Sequence, residues 1–147
     1  MERSLVLLKP DAVQRGLVGE LISRLEAKGM KLAGMKLIAL DRELAGRHYA
    51  EHTERPFFSG LVDFITSSPV VALVIEGENS VKVVRGLMGA TNPLDAAPGT
   101  VRGDLAASIG MNLVHGSDSL ESAAREIDLF FEPEEILSYE RDVDGWI

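Results

Sequence analysis

Apolar residues along the chain fall into short blocks that alternate between two spacings. Residues 4–8 (SLVLL) form a continuous run and read as a central strand. Lys9-Pro10-Asp11 ends it and opens a helix, with proline suited to the first helical turn. Val18, Leu21, Ile22 and Leu25 recur at helical spacing and predict an amphipathic helix running to about Gly29. Residues 31–40 (KLAGMKLIAL) partly alternate and predict a second strand. A helix around Glu43–Glu51, a turn at Arg55-Pro56 and a short helix marked by Leu61, Phe64 and Ile65 follow. Val70–Ile75 is β-branched and predicts a third strand. Asn79 and Ser80 are placed to cap a helix through about Met88. Residues 90–110 carry Pro93, Pro98, Gly99, Gly103 and Gly110 with little periodicity, a long loop of the kind that is either functional or disordered. Asn112–His115 reads as a short strand, and Asp118 with Glu121 resembles a capping box for a helix to about Phe131. Pro133-Glu134-Glu135 begins one more turn. The order β-α-β-(α-α)-β-α-loop-β-α fits the split βαβ pattern, an α+β fold with one mainly antiparallel sheet, though the pattern alone admits other topologies.

At 147 residues the expectation is a single domain spanning residues 1–147. A chain of this size buries roughly two thirds of its unfolded surface, enough for a core without staples. There is no cysteine, which excludes a disulfide scaffold, a thiolate metal site, an iron–sulfur cluster and a cysteine nucleophile. No apolar run approaches the roughly 20 residues that span a bilayer. The run before Lys9-Pro10 is also too short for a signal-peptide core. A cytoplasmic protein without a membrane partner is expected.

Charge changes the picture more than composition does. The formal net charge of −8 lies wholly in residues 118–147, while residues 1–117 hold thirteen acidic and thirteen basic residues. With no excess of cations, duplex nucleic acid is not expected as the main partner. A small anion held by a few placed cations fits this balance, whereas single-stranded nucleic acid is disfavoured by the few aromatics.

Three histidines bear on the chemistry. His48 and His52 share a helix face, but Glu51 sits at the wrong offset for the His-Glu-x-x-His metal motif, so both are expected to be surface residues rather than ligands. His115 lies where a strand passes through Gly116 into a helix start, presented on a fixed backbone. On its own it fits either a hydrogen-bonded turn histidine or a nucleophile whose second nitrogen needs a partner; Ser117, Asp118 and Glu126 are the candidates. Neither the P-loop pattern nor a G-x-G-x-x-G loop is present, so a phosphate site must use side chains, with Lys9, Arg85 and Arg102 available.

The segment Asn112-Leu113-Val114-His115-Gly116-Ser117-Asp118-Ser119 resembles the N-x-V-H-G-S-D-S motif of the nucleoside diphosphate kinases. The resemblance extends through Lys9 to Gly16 (KPDAVQRG), His48 to His52 (HYAEH), Arg55 to Phe58 (RPFF), Gly86 to Pro93 (GLMGATNP) and Ala97 to Asp104 (APGTVRGD). It implies a ferredoxin-like split βαβ sandwich with a four-stranded, mainly antiparallel sheet and helices packed on it. It implies transfer of the terminal phosphoryl group from a nucleoside triphosphate to a nucleoside diphosphate, ping-pong, with magnesium, through a phosphohistidine. Position by position, His115 matches the phosphorylated histidine. Lys9, Arg85, Thr91 and Arg102 match the phosphate-binding set; Asn112, with Lys9, would reach the ribose; Phe57 would stack on the base. Tyr49, Ser117 and Glu126 would be supporting residues. Ribo- and deoxyribonucleotides are the expected partners, because one aromatic platform accepts any base. No direct protein ligand to magnesium is expected, Asp118 reaching it through water at most. The family usually has arginine where this chain has Met111, a change that bears on local packing. The tail from Tyr139 to Trp146-Ile147 resembles that of hexameric members, so a homo-oligomer is expected, hexamer over tetramer. The competing reading is a non-catalytic nucleotide-binding or interaction module on the same fold.

Overall fold

The four apolar blocks pair into one sheet. The computed structural model describes residues 1–147 and contains strands β1 (Glu2–Leu8), β2 (Lys31–Ile38), β3 (Val70–Gly77) and β4 (Val114–Gly116). Their order is β2-β3-β1-β4, and each neighbouring pair is antiparallel. Around them run helices α1 (Pro10–Gln14), α2 (Val18–Ala27), α3 (Arg42–His48), α4 (Phe58–Ile65), α5 (Ser80–Met88), α6 (Val101–Leu105) and α7 (Leu120–Phe130). This is the ferredoxin-like α+β arrangement expected above.

Both faces of the sheet are covered. Val6, Leu8, Leu73 and Ile75 pack with Leu21 and Leu25 of α2 and Val84 and Met88 of α5. Leu5, Leu7, Ala72 and Val74 pack with Val62 and Ile65 of α4 and Ile127 and Phe130 of α7. A strand with helices on both sides has no face left for polar residues, which explains why residues 4–8 read as a run and not as an alternation. The register sets Leu7 opposite His115 and Val6 opposite Gly116. Residues opposite each other in a pair point to the same face, so His115 points with Leu7 toward the layer formed by α3, α4 and α7.

Several local expectations are corrected. The helix expected from Pro10 to Gly29 is two helices, α1 and α2, separated at Gly16, whose φ of +69° no helix accommodates. The helix expected through Glu51 ends at His48 and continues as a 3-10 turn over Ala50–His52. Asn79 has a left-handed backbone and makes no side-chain cap bond. At α7 the cap is Ser119, accepting from the Ser122 amide, not Asp118. The 90–110 loop contains a 3-10 turn (Pro93–Asp95) and α6, capped by Thr100, while the last strand begins two residues later than expected, at Val114.

Candidate active site

The backbone entering β4 is held in an unusual shape. Leu113, fully buried, has φ +73°, a left-handed conformation costing a non-glycine residue about 1–2 kcal/mol. Two bonds fix it from the start of α1: the Leu113 amide donates to Asp11 Oδ2 at 2.9 Å, and the Lys9 amide donates to the Leu113 carbonyl at 2.9 Å. The kink lies two residues before His115 and sets how β4 presents it.

His115 is half-buried, and its Nε2 lies 2.9 Å from Glu126 Oε2 on α7. The approach is close but bent away from the line of the ring N–H, so it is a close polar contact rather than an aligned hydrogen bond. Ser117 Oγ donates to the other oxygen, Glu126 Oε1, at 2.7 Å and accepts from the Leu5 amide at 3.1 Å, which ties the carboxylate to β1. Burial pushes the Glu126 carboxyl upward, but the His115 imidazole and the Ser117 hydroxyl outweigh it and hold the group below the usual range. The carboxylate is therefore ionised at neutral pH.

His48 overturns the expectation of a surface histidine. Its side chain is 2% exposed, its ring stands edge-on to His115 with centroids 4.7 Å apart, and its Nδ1 lies 3.8 Å from Glu126 Oε2. Burial above all, and then the neighbouring His115, push its pKa down to about 3, so the ring is neutral at pH 7. Tyr49 packs on His48 with ring centroids 4.7 Å apart. Burial pushes the Tyr49 hydroxyl up to about 12.

Three cations converge on residues 112–116 from three elements. Lys9, at the end of β1, donates from Nζ to Asn112 Oδ1 at 2.7 Å. Its ammonium is lowered by burial, an effect that Asp11 opposes and Arg102 reinforces. Arg102 of α6 is buried and donates to three main-chain carbonyls: Asn112 at 3.2 Å, Gly89 at 3.1 Å and Val114 at 2.6 Å. Burial, then the nearby Arg85, bring it down to about 10, still charged at neutral pH. Arg85 of α5 is exposed and donates to the Gly116 carbonyl at 3.1 Å. Asn112 also donates from Nδ2 to the Thr91 carbonyl at 2.9 Å.

The structure thus links Lys9, Arg85, Arg102, Asn112, Ser117 and Glu126 directly to the segment bearing His115. Thr91 joins through its carbonyl, with an exposed side chain. Phe57, half-exposed before α4, and Tyr49 join through rings: Tyr49 and His52 lie 6.4 Å apart, and His52 and Phe57 5.5 Å apart. Tyr49 makes no hydrogen bond to His115 or Lys9. Met111 is exposed and takes no part in these bonds. Sequence reasoning missed Asp11 and His48. Ala45 and His48, three residues apart and both buried, form the inward stripe of α3, and that spacing was the available signal. Asp11 lay inside the shared Lys9–Gly16 segment, but its role there was not singled out. A broad concavity of about 830 Å³ lies elsewhere, between the N-terminus and α7, and contains none of these residues.

Comparison with known proteins agrees with this geometry. The family model described as nucleoside diphosphate kinase matches residues 2–136. A nucleoside diphosphate kinase of Archaeoglobus fulgidus is 60% identical over 147 residues, 100% of this chain and 97% of that protein. The Desulforamulus reducens enzyme of the same name is 58% identical, covering 100% of this chain and 99% of its own. Among solved structures, a halophilic nucleoside diphosphate kinase from Halobacterium salinarum in complex with CDP superposes with TM-score 0.96 at 53% identity, over 99% of this chain and 97% of that one. A nucleoside diphosphate kinase family protein from Babesia bovis superposes with TM-score 0.97 at 45% identity, over 99% of both chains. Motif order, sheet topology and full-length similarity agree, and the chain belongs to the nucleoside diphosphate kinase family.

Proposed function

We propose that this chain moves the terminal phosphoryl group of a nucleoside triphosphate onto a nucleoside diphosphate through a phosphohistidine on His115. The observation that carries the reading is the 2.9 Å approach of His115 Nε2 to the Glu126 carboxylate. It favours the tautomer with the proton on Nε2, which leaves the Nδ1 lone pair free to attack. Nδ1 bonds to the terminal phosphorus as the bond to the bridging oxygen breaks, and the diphosphate leaves with that electron pair. The ring gains positive charge in this step, and the ionised Glu126 stabilises it without moving. A second diphosphate then attacks the same phosphorus, the P–N bond breaks, and the neutral imidazole returns. One site serves both nucleotides in turn.

Phosphoryl transfer asks the protein chiefly for placed positive charge. Lys9, Arg85 and Arg102 would supply it, with Thr91 at the phosphates and Asn112 with Lys9 at the ribose. Phe57 would stack on the base, and ribo- and deoxyribonucleotides would both be accepted. Ser117 and Glu126 would orient the nucleophile, with Tyr49 acting through His48. Magnesium, when bound with the nucleotide, would supply charge neutralisation at its phosphates. Asp11 is committed to Leu113, and Glu126 Oε1 to Ser117. Asp118 is exposed and forms no ion pair, so it fits a water-mediated contact to such a cation. The protein is further proposed to be a single domain over residues 1–147, cytoplasmic, and a homo-oligomer, hexameric rather than tetrameric. No helix is long and apolar enough to cross a membrane.

Incubation with γ-labelled ATP and magnesium should leave one acid-labile, base-stable phosphate on the wild-type chain and none on His115→Ala. ATP plus dTDP should yield dTTP only with the wild type. Nucleotide binding without either result would instead favour a non-catalytic module.

A further inference from the structure

The geometry points to a second use of this corner of the fold: His48, His115 and Glu126 form a site for a borderline transition cation such as zinc, distinct from the magnesium carried by nucleotides. One donor atom from each of the three lies within 4.8 Å of the other two. His115 Nε2 and Glu126 Oε2 are 2.9 Å apart, and His48 Nδ1 and the same oxygen 3.8 Å. Ligand atoms around a tetrahedral zinc, with bonds of about 2.0–2.1 Å, stand about 3.3–3.5 Å apart. The two distances to Glu126 bracket that value, and the two ring nitrogens lie within 4.8 Å of each other, so a closing movement of no more than about 1.5 Å between the rings suffices.

A second observation points into the same spot. His48 Nδ1 is buried without a hydrogen-bond partner, and His115 Nε2 meets only the off-line Glu126 oxygen at 2.9 Å. A buried ring nitrogen left unpaired is costly, and this one belongs to a side chain only 2% exposed and directed at Glu126. A cation between these atoms would satisfy both nitrogens at once. Two imidazoles and a carboxylate make the ligand set of open protein zinc sites, in which water fills the fourth position. Magnesium prefers oxygen ligands, so this donor set discriminates against the cation that accompanies the nucleotide. The second shell is also present, since Ser117 holds the other oxygen of Glu126 at 2.7 Å.

The site has a consequence for transfer, which rests on His115 acting through Nδ1. A metal on Nε2 needs the lone pair there, so the neutral ring must carry its proton on Nδ1. That removes the lone pair that would attack phosphorus. Metal binding and phosphorylation therefore exclude each other on the unphosphorylated ring, and the cation is an inhibitor.

Cobalt(II), a visible reporter with zinc-like preferences, tests the site in the full-length protein without nucleotide. Wild type and His52→Ala should bind one cobalt per chain with the strong visible absorption of a four-coordinate ion, displaced by zinc. His48→Phe and His48→Gln, each checked for native circular dichroism, should lose it. Equal absorption in folded His48 variants, or none in the wild type, overturns the site. Zinc should also slow phosphoenzyme formation at least tenfold in wild type, while each His48 variant keeps its own zinc-free rate. Cobalt binding with unchanged phosphoenzyme formation overturns the inhibition. A wild type that forms no phosphoenzyme even without zinc refutes the proposed function instead, and leaves the cobalt result standing.

Discussion

At His115 the chemistry depends on which nitrogen carries the proton, and one carboxylate biases that choice. Glu126→Gln keeps the shape and loses the charge that meets the ring as it becomes cationic. Phosphoenzyme formation should slow by about 1.5–3 kcal/mol, on the order of ten- to a hundred-fold, read by rapid mixing with labelled ATP. An unchanged rate would remove Glu126 from the assigned role. His48 makes a different prediction, because the folded chain holds it neutral. In the unfolded chain it takes up a proton near pH 6.5, and in the folded chain only near 3. Between those values the unfolded state binds more protons, so the stabilisation is complete above pH 6.5 and is lost as pH falls. One such group contributes a slope of up to about 1.4 kcal/mol per pH unit. Urea midpoints measured from about pH 6.5 to about pH 5, above the carboxylate range, should show that slope in the wild type and lose it in His48→Phe. The role proposed for His115 is suggested by its motif. The burial of His48 was not legible in the sequence, because histidine occurs in both environments and only the packing of α3 against α7 and β4 decides.

Between elements, the site is a junction and not a pocket in one segment. The β1–α1 junction contributes Lys9, α1 contributes Asp11, α5 and α6 contribute the two arginines, and all of them bond to residues 112–116. Arg102 shows what this means. Matched from sequence as a phosphate ligand, it also uses its guanidinium to hold three carbonyls around β4. Arg102→Ala leaves buried acceptors unpaired and should lower stability by about 2–4 kcal/mol as well as slow transfer. The two effects separate by thermal unfolding and by assay at low temperature, where the variant is folded. A variant with wild-type melting and lost turnover would confine Arg102 to the phosphates. The left-handed Leu113 belongs to the same scale. Its sequence gives no glycine or asparagine to announce a positive φ, and only the bonds from Asp11 and Lys9 sustain it.

Over the whole molecule, β2 is an edge strand of the sheet, and Met35 and Leu37 on it are 58% and 65% exposed. The tail covers the start of this edge, with the Leu137 amide donating to the Ala33 carbonyl at 2.8 Å, but the exposed apolar part at Met35 and Leu37 invites pairing with another chain, which agrees with the homo-oligomer proposed above. Sedimentation should find wild-type assemblies larger than a monomer, six chains on the proposed count. Leu37→Lys should shift the distribution toward smaller species without loss of secondary structure. A monomeric wild type would refute the assembly. The tail continues this edge region: Arg141 donates to the Gly29 and Met30 carbonyls at 3.1 and 3.3 Å. The acidic C-terminal stretch thus packs partly on the chain itself.

Apolar spacing determined most of the element sequence and the α+β class, and the order of motifs carried the family resemblance. Such signals are local: a period of two or 3.6 residues, or a run of eight matched positions, survives in a single sequence. Tertiary structure decided that helices cover both faces of the sheet, that His48 and Glu126 meet His115, that Asp11 locks Leu113, and that Arg102 is committed to carbonyls. Each depends on side chains far apart in the sequence arriving at one point, and no local preference encodes that arrival.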